Sequence, residues 1–282
     1  MREVTWDVRG LTMAGLAWGE GEGVPTVMVH GWLDHAGSWT KTAERLKGRV
    51  YAVDLRGHGR SAWIGPGQTY HIPEYVADLD AIVSQLGGKV RLVGHSLGGA
   101  VVTYYAGARP ERVQRLAVVD GLGIPDGGPD ARDRMVQFLD GVARQRGGSR
   151  PLPNVDAAAE RLLTIYPFLD PGWARALATR GTRKDEKGVA WAYDPRHLLR
   201  AAHPYRQDAH MRFLEAIQCP VLVVVPDGTP FAEEDRSRLL ASIPRVRTLK
   251  IEGCGHMVPL QKPEILGDAL AGFMEDPEGG AA

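Results

Sequence analysis

The segment Val90–Gly99 places a serine between two glycines directly after a short apolar run. The run Val90–Val93 is followed by the sequence GHSLGG, which is typical of a tight turn between a strand and a helix. Glycines on both sides suit a strained backbone whose neighbours leave no room for a Cβ atom. Such a turn would raise the Ser96 hydroxyl above the sheet as a nucleophile. The Leu97 N–H, at the helix start, would stabilise a developing oxyanion.

A second loop carries a candidate partner for that serine. The sequence HGWLD, residues 30–34, comes directly after the apolar run Thr26–Val29. In this position the loop can direct the Trp32 N–H at the same oxyanion, so Trp32 and Leu97 are the predicted oxyanion-hole residues. The large Trp32 side chain also predicts a narrow acyl site. We expect His30 to hold the loop in place rather than to react.

A histidine with glycine neighbours follows the last apolar run, Arg247–Ile251. It is His256, in the sequence GCGHMVP. A histidine on a loop at a strand end can reach over a serine and act as general base. His256 also comes last in the chain order nucleophile, acid, histidine. Together, Ser96 and His256 predict nucleophilic attack on a carbonyl carbon.

Eight short runs of apolar and β-branched residues must bring these loops to one edge of a sheet. Their alternation with helical stretches predicts a parallel sheet with crossover helices. The first two runs, joined by Arg9-Gly10, are expected to form an antiparallel hairpin. We therefore predict an α/β fold with an eight-stranded, mostly parallel sheet and helices on both faces. The predicted strands are Val4–Val8, Leu11–Trp18, Thr26–Val29, Val50–Val53, Val90–Val93, Leu116–Val119, Val221–Val225 and Arg247–Ile251.

This alternation stops between about Gly121 and Met211, where helix-like segments are broken by glycines and prolines. We expect residues 122–210 to be a helical lid inserted after the sixth strand, and residues 1–121 and 211–282 to form the core. Five aromatic residues of this insertion suit the lid's own core and a substrate-binding wall equally well: Tyr166, Phe168, Trp173, Trp191 and Tyr193.

The composition excludes several classes of protein. The chain has 282 residues, 34 Lys+Arg against 34 Asp+Glu, and 44% hydrophobic residues, so it is neither fibrous nor intrinsically disordered. A zero net charge provides no strong field for nucleic acid or anionic lipid. The sequence has no apolar run long enough to cross a bilayer and no apolar signal-peptide core near Met1. We expect a cytoplasmic monomer or homodimer, with no nucleic-acid or membrane partner. Cys219 and Cys254 fall at opposite ends of two predicted strands, which argues against a disulfide.

The motifs GHSLGG, HGWLD, GCGHMVP and the polar loop Asp54–Ser61, in this order among the strands, resemble the α/β-hydrolase superfamily over essentially the whole chain. More narrowly, HGWLDHAGSW, VVDG and Tyr193–Arg196 resemble the serine hydrolase-like proteins. The resemblance implies a Ser-acid-His triad, a two-amide oxyanion hole and a lid that shapes substrate choice. We expect the polar residues of the loop Asp54–Ser61 to be structural, binding backbone groups and tying loops together.

The acid of the triad departs from the pattern that this resemblance implies. Most members carry it after the seventh strand, in a Gly-x-x-Asp turn. Here that strand ends VPDGT, so Thr229 occupies the usual acid position and Asp227 lies two residues early. Some members use the end of the sixth strand instead, where this chain has Asp120. Asp120 is the favoured acid and Asp227 the alternative, because either strand end could orient His256.

The main hypothesis is a carboxylesterase-like serine hydrolase that cleaves a small ester, thioester or lactone. Ser96 would form an acyl-enzyme, His256 would transfer the proton, and water would release the acyl group. The scheme needs no cofactor and no metal, and the histidines lack the spacing of a motif such as H-E-x-x-H. One alternative is C–C bond hydrolysis or an aminopeptidase-like activity on the same triad. Another is a non-catalytic ligand-binding protein of the same fold.

Overall fold

The computed structural model describes residues 1–124, 131–144, 151–186 and 188–275. Within these residues, eight strands form one sheet and two more form a short hairpin. The main sheet confirms the predicted set of strands, several of them extended by a few residues. Its strands are β1 (Arg2–Val8), β2 (Leu11–Trp18), β3 (Thr26–Val29), β4 (Val50–Val53), β5 (Val90–His95), β6 (Val113–Val119), β9 (Val221–Gly228) and β10 (Val246–Gly255), and the hairpin strands are β7 (Thr182–Asp185) and β8 (Gly188–Trp191).

The strand order of the main sheet is β1-β2-β4-β3-β5-β6-β9-β10. The predicted hairpin of β1 and β2 is present, and β2 also pairs antiparallel with β4 because it runs against the direction of the other strands. The remaining neighbours pair in parallel. The carboxyl ends of β3, β5, β6, β9 and β10 therefore meet at one edge of the sheet.

Helices cover both faces of this sheet, as predicted. One face packs against α2, α3, α7 and α8, and the other against α1, α9 and α10. The central strands are buried on both sides, which accounts for continuous apolar runs such as Val221–Val225. The helices are α1 (Thr40–Ala43), α2 (Ile72–Gln85), α3 (Leu97–Ala108), α4 (Ala131–Arg144), α5 (Val155–Ile165), α6 (Pro171–Gly181), α7 (Gln207–Glu215), α8 (Glu233–Leu240), α9 (Val258–Gln261) and α10 (Pro263–Glu275).

The chain between β6 and β9 contains helices α4 to α7 and also the hairpin of β7 and β8, which the sequence pattern did not predict. The residues of β7 are mostly exposed and charged, so they give no apolar alternation. The hairpin instead consists of the antiparallel pairing of its two strands, with a further bridge between Leu152 and Val189. The predicted boundary between residues 210 and 211 lies inside α7. Residues 125–130, 145–150 and 187 of the predicted insertion lie outside the described residues.

A buried ion pair ties this insertion to the core. Arg180 of α6 donates from Nη2 to Asp54 Oδ2 at 2.5 Å, and both side chains are almost fully buried. Asp54 also accepts the N–H groups of Ala36 and Arg60. The polar loop that follows β4 therefore has the structural role expected of it.

The two cysteines, Cys219 and Cys254, are buried and not bonded to each other, in agreement with their positions at opposite ends of adjacent strands. In the described part of the chain, no helix has the length and apolarity to cross a membrane.

Buried histidines make the stability of the fold depend on pH. Burial lowers the pKa of His30 to about 3 and the pKa values of His95 and His210 to about 4. The unfolded chain takes up these protons near pH 6.5, whereas the folded chain does not, so acid favours unfolding. We expect the free energy of unfolding to fall between pH 6.5 and 4 by about 1.4 kcal/mol per pH unit for each such histidine. Urea denaturation at several pH values measures this slope.

A pair of variants tests the origin of the slope. His210→Gln removes one buried imidazole and should reduce the pH dependence of the free energy of unfolding by up to about 1.4 kcal/mol per pH unit. His203→Gln changes an exposed histidine and should leave the slope as in the wild type. An unchanged slope in the His210 variant would contradict the assignment.

Candidate active site

The serine of the GHSLGG turn stands where β5 ends and α3 begins. Ser96 has φ 52° and ψ −118°, a conformation that costs an L-residue about 1–3 kcal/mol. Its N–H donates to Val119 O at 3.1 Å, which binds the turn to β6. A Cβ atom at Gly98 would clash with the carbonyl oxygen of Val29, and one at Gly94 would clash with that of Gly98. Close approach of the backbone therefore explains both glycines of the motif.

The structure brings Ser96, His256 and Asp120 into one hydrogen-bonded row. Ser96 Oγ lies 3.0 Å from His256 Nε2, and His256 Nδ1 lies 2.7 Å from Asp120 Oδ2. With the imidazole proton on Nδ1, the ring donates to the carboxylate and accepts from the serine hydroxyl. This is the arrangement that a general base requires.

Asp120 is held rigidly at the end of β6. Its side chain is buried, and its backbone has φ 41° with its N–H donating to Val224 O. Thr229 donates its hydroxyl to Asp120 Oδ1 at 2.6 Å, so both carboxylate oxygens have partners. Thr229, the residue in the usual acid position, thus donates a hydrogen bond to the favoured candidate for the acid.

The alternative acid, Asp227, lies outside this row. Its exposed carboxylate accepts the N–H groups of Gly228, Gly253 and Cys254 at 2.9–3.0 Å. The hydrogen bonds from these amides hold the pKa of Asp227 below its usual value, and the bond from Cys254 has the largest effect. Asp227 therefore braces the loop that carries His256.

His95, between the glycine and serine of the motif, has a function that sequence analysis missed. Its Nε2–H donates to the carbonyl oxygen of His256 at 2.8 Å, and the two rings lie 4.8 Å apart. His95 is almost completely buried, and burial lowers its pKa to about 4. It is therefore a neutral imidazole that holds the backbone of His256 in place. A contact 161 residues away in the sequence leaves no signal around His95 itself.

The two predicted oxyanion-hole residues, Trp32 and Leu97, border the same cavity, and Leu97 directly follows Ser96. The loop that carries Trp32 passes so close to the serine turn that a Cβ at Gly31 would lie 3.1 Å from Ser96 Cβ. Among the described residues, the structure gives the N–H groups of Trp32 and Leu97 no hydrogen-bond partner. Both amides are thus available to an oxygen atom bound at Ser96.

The cavity that these residues border has a volume of about 900 Å³. It lies between the core and the insertion and is walled by aromatic and aliphatic side chains from both, including Tyr75, Tyr104, Phe138, Leu199 and Tyr205. Trp32 is 54% exposed and donates its indole N–H to His197 O at 3.2 Å. This bond holds the Trp32 side chain at the edge of a cavity that is wider than the narrow acyl site predicted from the sequence.

The five aromatic residues singled out in the insertion are absent from the part of the cavity wall that the structure describes. Tyr166 and Trp173 pack against a small apolar cluster that joins Leu169 and Leu177 of the insertion to Leu260 of α9. Trp191 packs against Ala158 and its neighbours, within the insertion. Phe138, which the sequence did not single out, lines the cavity instead.

A sequence profile of the alpha/beta hydrolase family matches residues 26–269. The chain belongs to this family. The match confirms the α/β-hydrolase fold predicted from the motifs and from the order of the strands.

Individual relatives of this α/β hydrolase agree with that assignment. The chain is 27% identical to the serine hydrolase-like protein of Danio rerio over 281 residues, 93% of this chain and 85% of that one. It is 34% identical to serine hydrolase-like protein 2 of Homo sapiens over 227 residues, 73% of this chain and 72% of that one. The solved thioesterase domain from the curacin biosynthetic pathway superimposes with a TM-score of 0.85 at 25% identity, over 96% of this chain and 98% of that one.

The close packing at the serine turn leads to a stability prediction. Gly98→Ala adds a methyl group against the Val29 carbonyl oxygen and should lower the free energy of unfolding by about 1–3 kcal/mol or more. Gly272→Ala is the control, because a Cβ there meets nothing within 4 Å and α10 should gain about 0.5–1 kcal/mol. Urea denaturation of both variants measures the difference. Equal stability of the two would contradict the packing argument.

Proposed function

We propose that this α/β hydrolase is a serine hydrolase that cleaves a carboxylic ester, thioester or lactone. The observation that carries the proposal is the row from Ser96 Oγ through His256 to Asp120, with contacts of 3.0 and 2.7 Å. The names of relatives support ester-type chemistry. They include the lipase LipV of Mycobacterium tuberculosis, 31% identical over 83% of this chain and 87% of that one.

The reaction begins when Ser96 Oγ attacks the carbonyl carbon and His256 Nε2 takes the hydroxyl proton. The carbonyl oxygen becomes an oxyanion that the N–H groups of Trp32 and Leu97 stabilise. The intermediate collapses as His256 passes its proton to the leaving oxygen or sulfur, and Ser96 keeps the acyl group. Water, with His256 again as base, then attacks this acyl-enzyme and restores the serine.

Asp120 orients His256 and stabilises the imidazolium that forms in each step. Its burial and its bond from Thr229 support this function, because a carboxylate with fixed partners keeps the imidazole ring in one orientation. Asp227 is left to brace the loop before His256. We assign the acid to Asp120 on these grounds.

Residues 122–210 are proposed to act as a lid over this site. The cavity beside Ser96 is walled on one side by core residues and on the other by Phe138, Leu199 and Tyr205 of the insertion. Helix α4 exposes Met135, Leu139 and Val142. An amphipathic helix with an uncovered apolar face beside the cavity suits a movable cover.

Covalent labelling tests the nucleophile and the acid together. A fluorophosphonate probe should modify Ser96 in the wild type, as mapped by mass spectrometry of the peptides. Asp120→Asn should slow labelling by about 10³-fold or more, because the imidazole loses its orienting charge. Asp227→Asn is the matched control and should label within about fivefold of the wild type, because an asparagine oxygen can still accept from the loop amides.

Other outcomes of this labelling are informative. Equal loss in both aspartate variants would contradict the assignment of the acid. An absence of any adduct in the folded wild type would overturn the serine hydrolase proposal in favour of a ligand-binding protein.

The width of the cavity predicts a preference for larger substrates. An acyl chain of eight carbons can bury several methylene groups in about 900 Å³, whereas an acetyl group cannot. We expect kcat/KM for p-nitrophenyl octanoate to exceed that for the acetate by about tenfold or more. Ala209→Trp should reduce the octanoate preference and spare the acetate, because Ala209 is an exposed residue on the cavity wall. An acetate that reacts as fast as the octanoate in the wild type would contradict the prediction.

A further inference from the structure

A segment of the insertion, residues 192–198, docks beside the loop that carries Trp32. The Asp194 N–H donates to Gly57 O at 2.7 Å, and Arg196 Nη2 donates to Ile64 O at 2.6 Å. Trp63 donates its indole N–H to Ala192 O at 3.1 Å. The segment is thus bound at several points to residues 57–64, which include part of the polar loop Asp54–Ser61 and the residues just after it.

Within this segment, His197 contacts Trp32 directly and also contacts His58, which in turn contacts the residue after Trp32. Its carbonyl oxygen accepts the indole N–H of Trp32 at 3.2 Å. Its ring is nearly buried between the ring of His58, with centroids 3.9 Å apart, and that of Tyr70, with centroids 3.7 Å apart. The ring also packs on Gly57, where a Cβ would lie 2.5 Å from His197 Nε2.

His58 contacts the backbone of the residue that follows Trp32. The Leu33 N–H donates to His58 Nε2 at 3.3 Å, while His58 Nδ1 lies 3.1 Å from Arg56 O. Leu33 has φ 58°, a left-handed conformation that disfavours a leucine and must be held by its surroundings. His58 supplies a hydrogen bond at this strained residue.

These contacts fix both peptide planes that flank the Trp32 α-carbon. A peptide group is planar, so the Gly31 carbonyl and the Trp32 N–H share one plane and point in opposite directions. His30 Nδ1 lies 2.7 Å from Gly31 O and fixes that first plane. His58 fixes the next plane through the Leu33 N–H, and His197 fixes the Trp32 side chain between the two.

We infer that His58 and His197 are positioning residues for the oxyanion hole, and that their own contacts with Leu33 and Trp32 set the direction of the Trp32 N–H. The inference rests on the proposed function, since it assigns the Trp32 amide to the oxyanion. Neither imidazole contacts the reacting atoms. Donors stabilise an oxyanion when they lie at about 2.7–3.1 Å from it. A small rotation of the Trp32 peptide would therefore reduce the stabilisation of the transition state and leave substrate binding in the cavity unaffected.

The decisive variant is Trp32→Phe, which removes the indole N–H and keeps both an aromatic ring and the backbone amide. We expect kcat for an ester substrate to fall by about tenfold, with KM within about twofold of the wild type. The pH profile of kcat/KM should keep its midpoint, because the contacts of His256 are unchanged. Trp63→Phe is the matched control. It removes another bond from a core indole to an insertion carbonyl, 129 residues apart in the chain, and should change kcat by less than about twofold.

A second pair of variants tests His58. His58→Leu removes the acceptor for the Leu33 N–H and should lower kcat in the same way, whereas His58→Gln places an amide oxygen there and should recover most of the rate. If His58→Leu does not fold, Trp32→Phe decides the question alone.

The outcomes separate this inference from the proposed function. An unlabelled, inactive wild type would overturn the proposed function before any variant is made. An active wild type in which Trp32→Phe and Trp63→Phe have equal kcat would overturn the inference alone. So would a rise in KM at constant kcat in Trp32→Phe, because that result would make Trp32 a substrate contact.

Discussion

The left-handed backbone at the ends of β5 and β6 is the constraint on which the candidate site depends. Ser96 and Asp120 have φ values of 52° and 41°, and each directly follows a buried strand. Parallel neighbours lie about 4.8 Å apart, so the two turns present a hydroxyl and a carboxylate side by side at one edge of the sheet. In the described ranges, the other non-glycine residues with positive φ are Arg9 in the first hairpin and Leu33 in the loop that carries Trp32. Three of these four residues thus lie around one site, in agreement with the general tendency of strained backbone conformations to cluster at functional sites.

His256 also directly follows a strand, but the register of that strand, β10, shifts between Ile251 and Gly255. Two residues hold this irregular strand end in place. His95 donates to the His256 carbonyl oxygen, and Asp227 accepts the amides of the preceding residues. The two acidic candidates, Asp120 after β6 and Asp227 near the end of β9, therefore have different contacts. Asp120 contacts the imidazole ring, and Asp227 holds the backbone of the residues before His256. Thr229 links the two strand ends by its bond to Asp120.

Sequence analysis predicts well what local geometry decides and poorly what depends on distant contacts. The glycines around Ser96 and the strands of the sheet follow from backbone packing and burial, so their pattern is visible in the residues themselves. The sequence favours Asp120 over Asp227 but does not exclude Asp227. Both aspartates lie near the ends of neighbouring strands, and the sequence does not show which carboxylate contacts His256. The wide cavity was missed for the same reason, since the Trp32 side chain is held by His197, 165 residues away. The exposed hairpin of β7 and β8 gave no apolar signal at all.

One side-chain type serves two opposite purposes around this site, and burial decides between them. His30 and His95 lose their proton affinity inside the fold, with pKa values of about 3 and 4, and burial also holds the pKa of His58 well below its usual value. A neutral imidazole offers one donor and one acceptor, so His30 accepts from the Leu55 N–H and His58 from the Leu33 N–H. Protonation would remove both acceptors. His256 is instead partly exposed, and its Nδ1 lies 2.7 Å from Asp120 Oδ2. The same ring therefore holds the backbone in place where it is buried, and in the proposed function it transfers a proton where it contacts Asp120.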